Sequence, residues 1–163
     1  MLVFTLEGRL LVLIFTAVCV FQDFRSMRID LRVFLLAGAA EAVMYLLLMR
    51  CGGIPDWRPV VFAGLAGLLL LLMSVLSGGI FGEGDALFFL LFGTAAGLRY
   101  QLAAACVSVL LAGGFSLCFL CASFLKGRHA AGKKRFPFLP FAAVPVLCLL
   151  LQLQLREGGA VLP

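Results

Sequence analysis

Long runs of apolar residues alternate along this chain with short clusters of charged residues, glycine and proline. The runs occupy residues 2–22, 33–49, 59–77, 86–98, 102–125 and 136–155. A helix needs about 20 residues to cross a hydrocarbon core of about 30 Å, so the pattern predicts an all-α polytopic membrane protein. The expected architecture is a bundle of about six transmembrane helices in a single domain over residues 1–163. Run 86–98 is the weakest, because at about 1.5 Å per residue it falls short of the bilayer unless it starts back at Gly82 or continues past Arg99. Neither an internal repeat nor a low-complexity linker divides the chain.

Composition strengthens this reading. Hydrophobic residues make up 64% of the chain and charged residues 13%, and the mean hydropathy is +1.16. Water-soluble domains have about 45–50% apolar and about 25% charged residues, so a soluble globule is excluded. The net charge of +5 does not point to nucleic acid, since most of the positive charge sits in two short segments between apolar runs. A lipid bilayer is the expected partner. Arg25, Arg28, Arg32, Lys126, Arg128, Lys133, Lys134 and Arg135 fall on one side of the alternating topology, with Arg9, Arg50, Arg58, Arg99 and Arg156 on the other. The positive-inside rule then places segments 22–32, 78–85 and 126–135 in the cytoplasm and both termini outside. The first run carries Glu7 and lacks a basic flank, so it reads as a retained helix and not as a cleaved signal. Five of the six cysteines lie inside apolar runs and only Cys51 in a loop, which argues against a disulfide framework.

Acidic residues are few enough to weigh singly. Glu7, Asp56 and Glu157 lie beside Arg9, Arg58 and Arg156 at the outer side, as solvated interfacial charges. Asp23 ends the first run, and Asp85 opens the fourth after the glycine-rich turn Gly78-Gly79-Ile80-Phe81-Gly82-Glu83-Gly84. Two crossings separate them, so both carboxylates return to one face. Two such groups can hold a water between them, one as base and the other, protonated, as acid toward a carbonyl. Gly82 and Gly84 would let the chain bend sharply against a substrate backbone. Spacing alone favours a plainer account, in which Asp85 is a helix N-cap and Asp23 an interfacial charge near Arg25.

The local sequence reverses that preference. Asp23-Phe24-Arg25-Ser26-Met27-Arg28-Ile29 resembles the Asp-x-Arg-x-x-x-Ile segment of type IV prepilin peptidases, and Gly82-Glu83-Gly84-Asp85 resembles the GxGD motif of the same membrane aspartic proteases. Phe136-Pro137-Phe138-Leu139-Pro140-Phe141 is similar to the Pro-Phe-Gly-Pro-Phe segment that opens that family's last helix. The resemblance covers essentially the whole chain. It implies catalytic roles for Asp23 and Asp85, and substrate- or loop-shaping roles for Gly82, Gly84, Arg25, Ile29, Pro137 and Pro140. It further implies a leader peptidase in the inner membrane, with its active site toward the cytoplasm and pilin-like precursors as partners. No metal or cofactor is expected. The chain departs from the family at Asp30-Leu31, where Pro-Asn is usual. It also departs at Leu139, where Gly is usual, and in the lack of a basic residue in Ala86-Leu87-Phe88-Phe89. It resembles the short form, without the zinc-binding Cys-x-x-Cys domain.

The remaining polar residues have simpler expectations. Asp30 reads as the N-cap of the second helix, and Glu83 as facing water. Glu41, near the middle of the second run, is costly in lipid and should face the bundle interior as a protonated, hydrogen-bonded group. Cys118 and Cys121 lie within an apolar span, without a second pair or a polar site, and read as structural. His129, in the basic loop, reads as solvated. The alternative from another class is a small proton- or cation-coupled transporter using Glu41, Asp23 and Asp85. Against it stand the lack of a repeat and the position of the two aspartates at one face. A relative of presenilin would be longer, and its Tyr-Asp motif is Gln22-Asp23 here.

Overall fold

A computed structural model of the protein describes residues 2–26, 30–51, 56–76, 82–125 and 138–159. These residues form a 3-10 turn at Leu2–Phe4 and six helices: α1 (Leu6–Ser26), α2 (Leu31–Arg50), α3 (Trp57–Leu76), α4 (Glu83–Ala96), α5 (Leu98–Leu125) and α6 (Leu139–Gly159). No strand occurs among the described residues. The protein is an all-α membrane bundle. Three segments, Leu31–Arg50, Trp57–Leu76 and Leu98–Ser123, are each long and apolar enough to cross a membrane. Leu36, Leu76 and Leu110 on those helices are each more than 70% exposed, an outward apolar shell that suits lipid and not water.

The shortest helix turns out to be the central one. α4 packs against α1, α2, α3, α5 and the 3-10 turn, and buries Ala86, Phe88, Phe89, Phe92, Gly93, Ala95 and Ala96. A helix surrounded by others need not match the bilayer thickness by itself. Its apolar surface runs all round because protein, and not lipid, lies on most sides. Phe88 stacks on Phe15 of α1 with centroids 5.5 Å apart, and Phe15 meets Phe34 of α2 edge-on at 5.8 Å. These rings tie the first, second and fourth helices together.

The boundary after α4 lies elsewhere than the apolar pattern suggests. A single residue, Gly97, separates α4 from α5, with φ at 93°, a conformation that costs glycine least. Helix α5 therefore starts at Leu98 and absorbs Arg99 and Tyr100. The N-terminal run is also broken: the Thr5 hydroxyl donates to the Leu2 carbonyl at 2.8 Å and accepts the Gly8 N–H at 3.1 Å, so α1 starts after Thr5. Arg9 does not share the exposed setting of Glu7. It is buried, and its Nε donates to the Val3 carbonyl at 3.1 Å. Glu7 is exposed, and exposed Asp56 accepts the Arg58 backbone N–H at the start of α3.

Helices α3 and α4 approach backbone to backbone at Gly67, where an added Cβ would lie 2.6 Å from Leu90 Cα. Gly67→Ala must therefore push the pair apart, and its expected cost is about 1–3 kcal/mol, read as a lowered thermal midpoint in detergent. Gly64→Ala on the same helix is the control. There the new Cβ meets only Thr94 Cγ2, at an ordinary 3.9 Å, and the midpoint should hold.

Candidate active site

Asp23 stands in the last turn of α1, beyond the end of the apolar run, and is only 9% exposed. Its Oδ2 accepts the backbone N–H of Leu139 at 3.0 Å, a bond between residues 116 positions apart. The first turn of α6 explains why that donor is available. The opening N–H groups of a helix have no partner within it. Pro140 supplies none, and those of Phe141 and Ala142 go to the Phe138 carbonyl at 3.0 and 3.4 Å. Leu139 is left over, and Asp23 takes it. A negative charge there also meets the positive end of the α6 dipole.

Asp85 occupies the third position of α4. The N-cap is Gly82, at φ −66° and ψ 125°, and it offers no side-chain cap, so the N-cap account of Asp85 does not hold. The carboxylate instead folds back over Gly82, where a Cβ would lie 2.7 Å from Oδ2. Gly82 thus makes room for the acid. Neither Gly82 nor Gly84 needs the left-handed backbone, which among described glycines occurs only at Gly97. The expected sharp bend at these two positions is therefore replaced by an ordinary helix start with a cleared first turn. Gly84 is half-buried within it, and Glu83 is exposed.

Asp85 senses the charge of Asp23. Asp85 is pushed from the ordinary Asp value of 3.8 to about 7, first by burial and then by the negative charge of Asp23. Asp23 is also raised by burial, while the N–H groups of Leu139 and Phe138 act in the opposite direction. Among the described residues, Asp85 accepts no hydrogen bond. One member of the pair has its anion supported by a helix start, and the other has no hydrogen-bond donor among the described residues. Phe138 packs edge-on against Phe89 at 6.4 Å, which fixes the start of α6 beside the start of α4. Residues from the three sequence motifs thus share one end of the bundle.

No family model, curated protein or solved structure matches this chain.

The remaining candidates divide. Pro140 lies in the first turn of α6, half-buried, while Arg25 is exposed at the end of α1. Ile29, Pro137 and His129 lie outside the described residues. Asp30 is the N-cap of α2, its Oδ1 accepting the Arg32 N–H at 3.1 Å. Asn caps helices as well as Asp does, so Asp30→Asn should keep the thermal midpoint close to wild type. Asp30→Ala should cost about 1 kcal/mol of stability, measured by thermal unfolding. Cys118 and Cys121 are exposed on α5, the outer surface of the bundle. No group of three or more His, Cys, Asp or Glu among the described residues is placed to hold a metal ion.

Two contacts escape sequence reasoning. The Leu139 bond to Asp23 uses a backbone N–H, which no side-chain motif announces; the only hint is the proline that follows it. Glu41 is buried as expected, and its partner is Thr94 of α4, with Oγ1 2.7 Å from Oε2. Nothing in the apolar stretch around Thr94 marks it as that partner.

Proposed function

We propose that this protein is a membrane aspartic endopeptidase of the prepilin peptidase type. It removes the basic leader of pilin-like precursors at the cytoplasmic face of the inner membrane, which its helices cross about six times. One observation carries the reading: Asp23, Asp85 and the start of α6, far apart in sequence, lie together at one end of the bundle. There Leu139 bonds Asp23, and Asp23 raises Asp85.

The chemistry follows from the unlike surroundings of the pair. The Asp23 carboxylate, supported by the α6 start, takes a proton from a water held between the acids. Protonated Asp85 donates to the oxygen of the scissile carbonyl as the water adds. As the tetrahedral adduct collapses, the proton taken by Asp23 passes to the leaving amine and one hydroxyl of the adduct returns a proton to Asp85, forming the new carboxyl group. The apolar helix of the precursor would lie along the bundle within the bilayer, presenting its leader junction at the aspartates. Leu139, which stands where the family has Gly, engages Asp23 through its backbone, so the substitution leaves that bond available.

Co-expression with candidate precursors tests the reading. Each candidate should carry a basic leader ending in Gly, followed by an apolar helix. The expected result is a mobility shift and a new N-terminus at the leader junction. Proton-driven uptake that depends on Glu41, with no cleavage of any precursor, would instead favour a transporter.

A further inference from the structure

Glu41 lies midway along α2, is 5% exposed, and is far from the end of the bundle where the aspartates meet. Its partner Thr94 makes two contacts at hydrogen-bond distance: Oγ1 lies 2.7 Å from Glu41 Oε2 and 2.8 Å from the Leu91 carbonyl. A hydroxyl has one hydrogen to give. Leu91 lies three residues earlier in the same helix, the usual acceptor for a threonine hydroxyl. Thr94 can give that hydrogen to Leu91 or to Glu41 but not to both, and at a depth where no described cation faces Glu41 the arrangement favoured is a protonated carboxyl that donates to the Thr94 oxygen.

Surrounding groups agree with a neutral acid. Glu41 makes no ion pair with a described residue. α2 packs against α1, α4 and the 3-10 turn. On α1 the ionisable side chains Glu7 and Arg9 lie near one end, with Cys19, Asp23 and Arg25 toward the other. On α4, Asp85 and Glu83 lie about 14 and about 17 Å along the helix axis from Thr94, and the 3-10 turn bears no titratable side chain. Tyr45, one turn beyond Glu41, donates from its hydroxyl to the Thr94 carbonyl at 2.7 Å. That carbonyl is among the last of α4, where the break at Gly97 leaves the final carbonyls short of helical donors. Glu41 and Tyr45 thus hold one residue of α4 through both its side chain and its backbone.

We propose that Glu41 is a positioning residue, kept as the neutral acid, whose bond to Thr94 together with that of Tyr45 sets the axial register of α4 and hence the placement of Asp85. The Gly67–Leu90 approach and the Gln101 Nε2 bond to the Phe89 carbonyl hold the middle of α4, and the two directional bonds at Thr94 add a constraint on sliding at its far end. α4 is a single unbroken helix from Glu83 to Ala96, so a shift at Thr94 is carried to its first turn. The catalytic importance of this register rests on the peptidase reading, while the protonation of Glu41 and its coupling to Asp85 do not.

Infrared difference titration of the purified full-length protein in detergent tests both parts without a substrate. A protonated-carboxyl band present at neutral pH should persist in Asp85→Asn and vanish in Glu41→Gln. The midpoint of the Asp85 band should move by about half a pH unit or more in Glu41→Leu and in Tyr45→Phe, and return close to wild type in Glu41→Gln, whose amide still donates to Thr94. Should Glu41→Leu not fold, Thr94→Val replaces it with the same expected shift. Absence of a Glu41-dependent band at neutral pH overturns the neutral acid. An Asp85 midpoint unmoved in all these variants overturns the positioning role. If both spectroscopic results hold and no precursor is cleaved, the peptidase reading alone fails.

Discussion

Asp23→Asn and Asp85→Asn should each reduce precursor cleavage by about 10²–10⁴-fold, the contribution of a positioned acid or base, while leaving membrane insertion unchanged. The two variants fail for different reasons. Asn at 23 can still accept the Leu139 N–H through its amide oxygen, so α6 stays docked and only the base is lost. Asn at 85 keeps the cleared space beside Gly82 but has no proton to give to a carbonyl. Each change removes a member of a unit, so the double variant should be little worse than either single one. The check is the rate of leader removal from a detergent-solubilised precursor, with membrane fractionation and thermal unfolding as controls. Activity in Asp23→Asn together with its loss in Asp30→Asn would instead assign the pair to Asp30 and Asp85.

Cleavage should follow a bell-shaped pH profile with its alkaline limb near pH 7. The pair loses its protons in two steps that belong to both acids jointly, and the second is the one delayed by burial and by the charge of Asp23 on Asp85. Below the first step no base is available, and above the second no acid remains, so the rate should fall about tenfold per pH unit beyond the limb. The same shift has a consequence for stability. Asp85 holds its proton up to about 7 in the folded protein, against an ordinary value of 3.8, so between these values the folded state binds more protons than the unfolded chain. Stability contributed by that proton is fully present below the ordinary value, declines as pH rises through the window, and is gone above it. Thermal midpoints measured across pH 4–8 should fall less steeply in Asp85→Asn than in wild type. Activity that stayed flat far into alkaline pH would count against a dyad that works with one proton.

Asp30 and Glu41 show how far local reasoning reaches. A carboxylate just before an apolar helix can satisfy free N–H groups whatever the rest of the chain does, and Asp30 does so. A carboxylate in the middle of an apolar run must find a partner inside the bundle, because lipid offers none. That requirement made the burial of Glu41 legible, but Thr94 could not be named, since its place opposite Glu41 depends on how α2 and α4 lie against each other. Run 86–98 is the opposite case. Read as a single segment it is too short for the bilayer, and only its neighbours explain it.

What the sequence determined by itself was the class of the molecule and the vertical order of its parts. Apolar run lengths dictate helices and a membrane, and the reversal of direction expected from each run to the next puts the end of α1 and the starts of α4 and α6 at one end of the bundle. Lateral arrangement was decided only by the tertiary structure. Apolar periodicity does not distinguish a face toward lipid from a face toward protein when both are equally greasy. It therefore gave no sign that α4 is central, that Gly67 admits the Leu90 backbone, that Arg9 is buried, or that the Leu139 N–H reaches Asp23. These contacts depend on side-chain volume and on unpaired backbone groups at helix ends, quantities that acquire a direction only when the helices are packed.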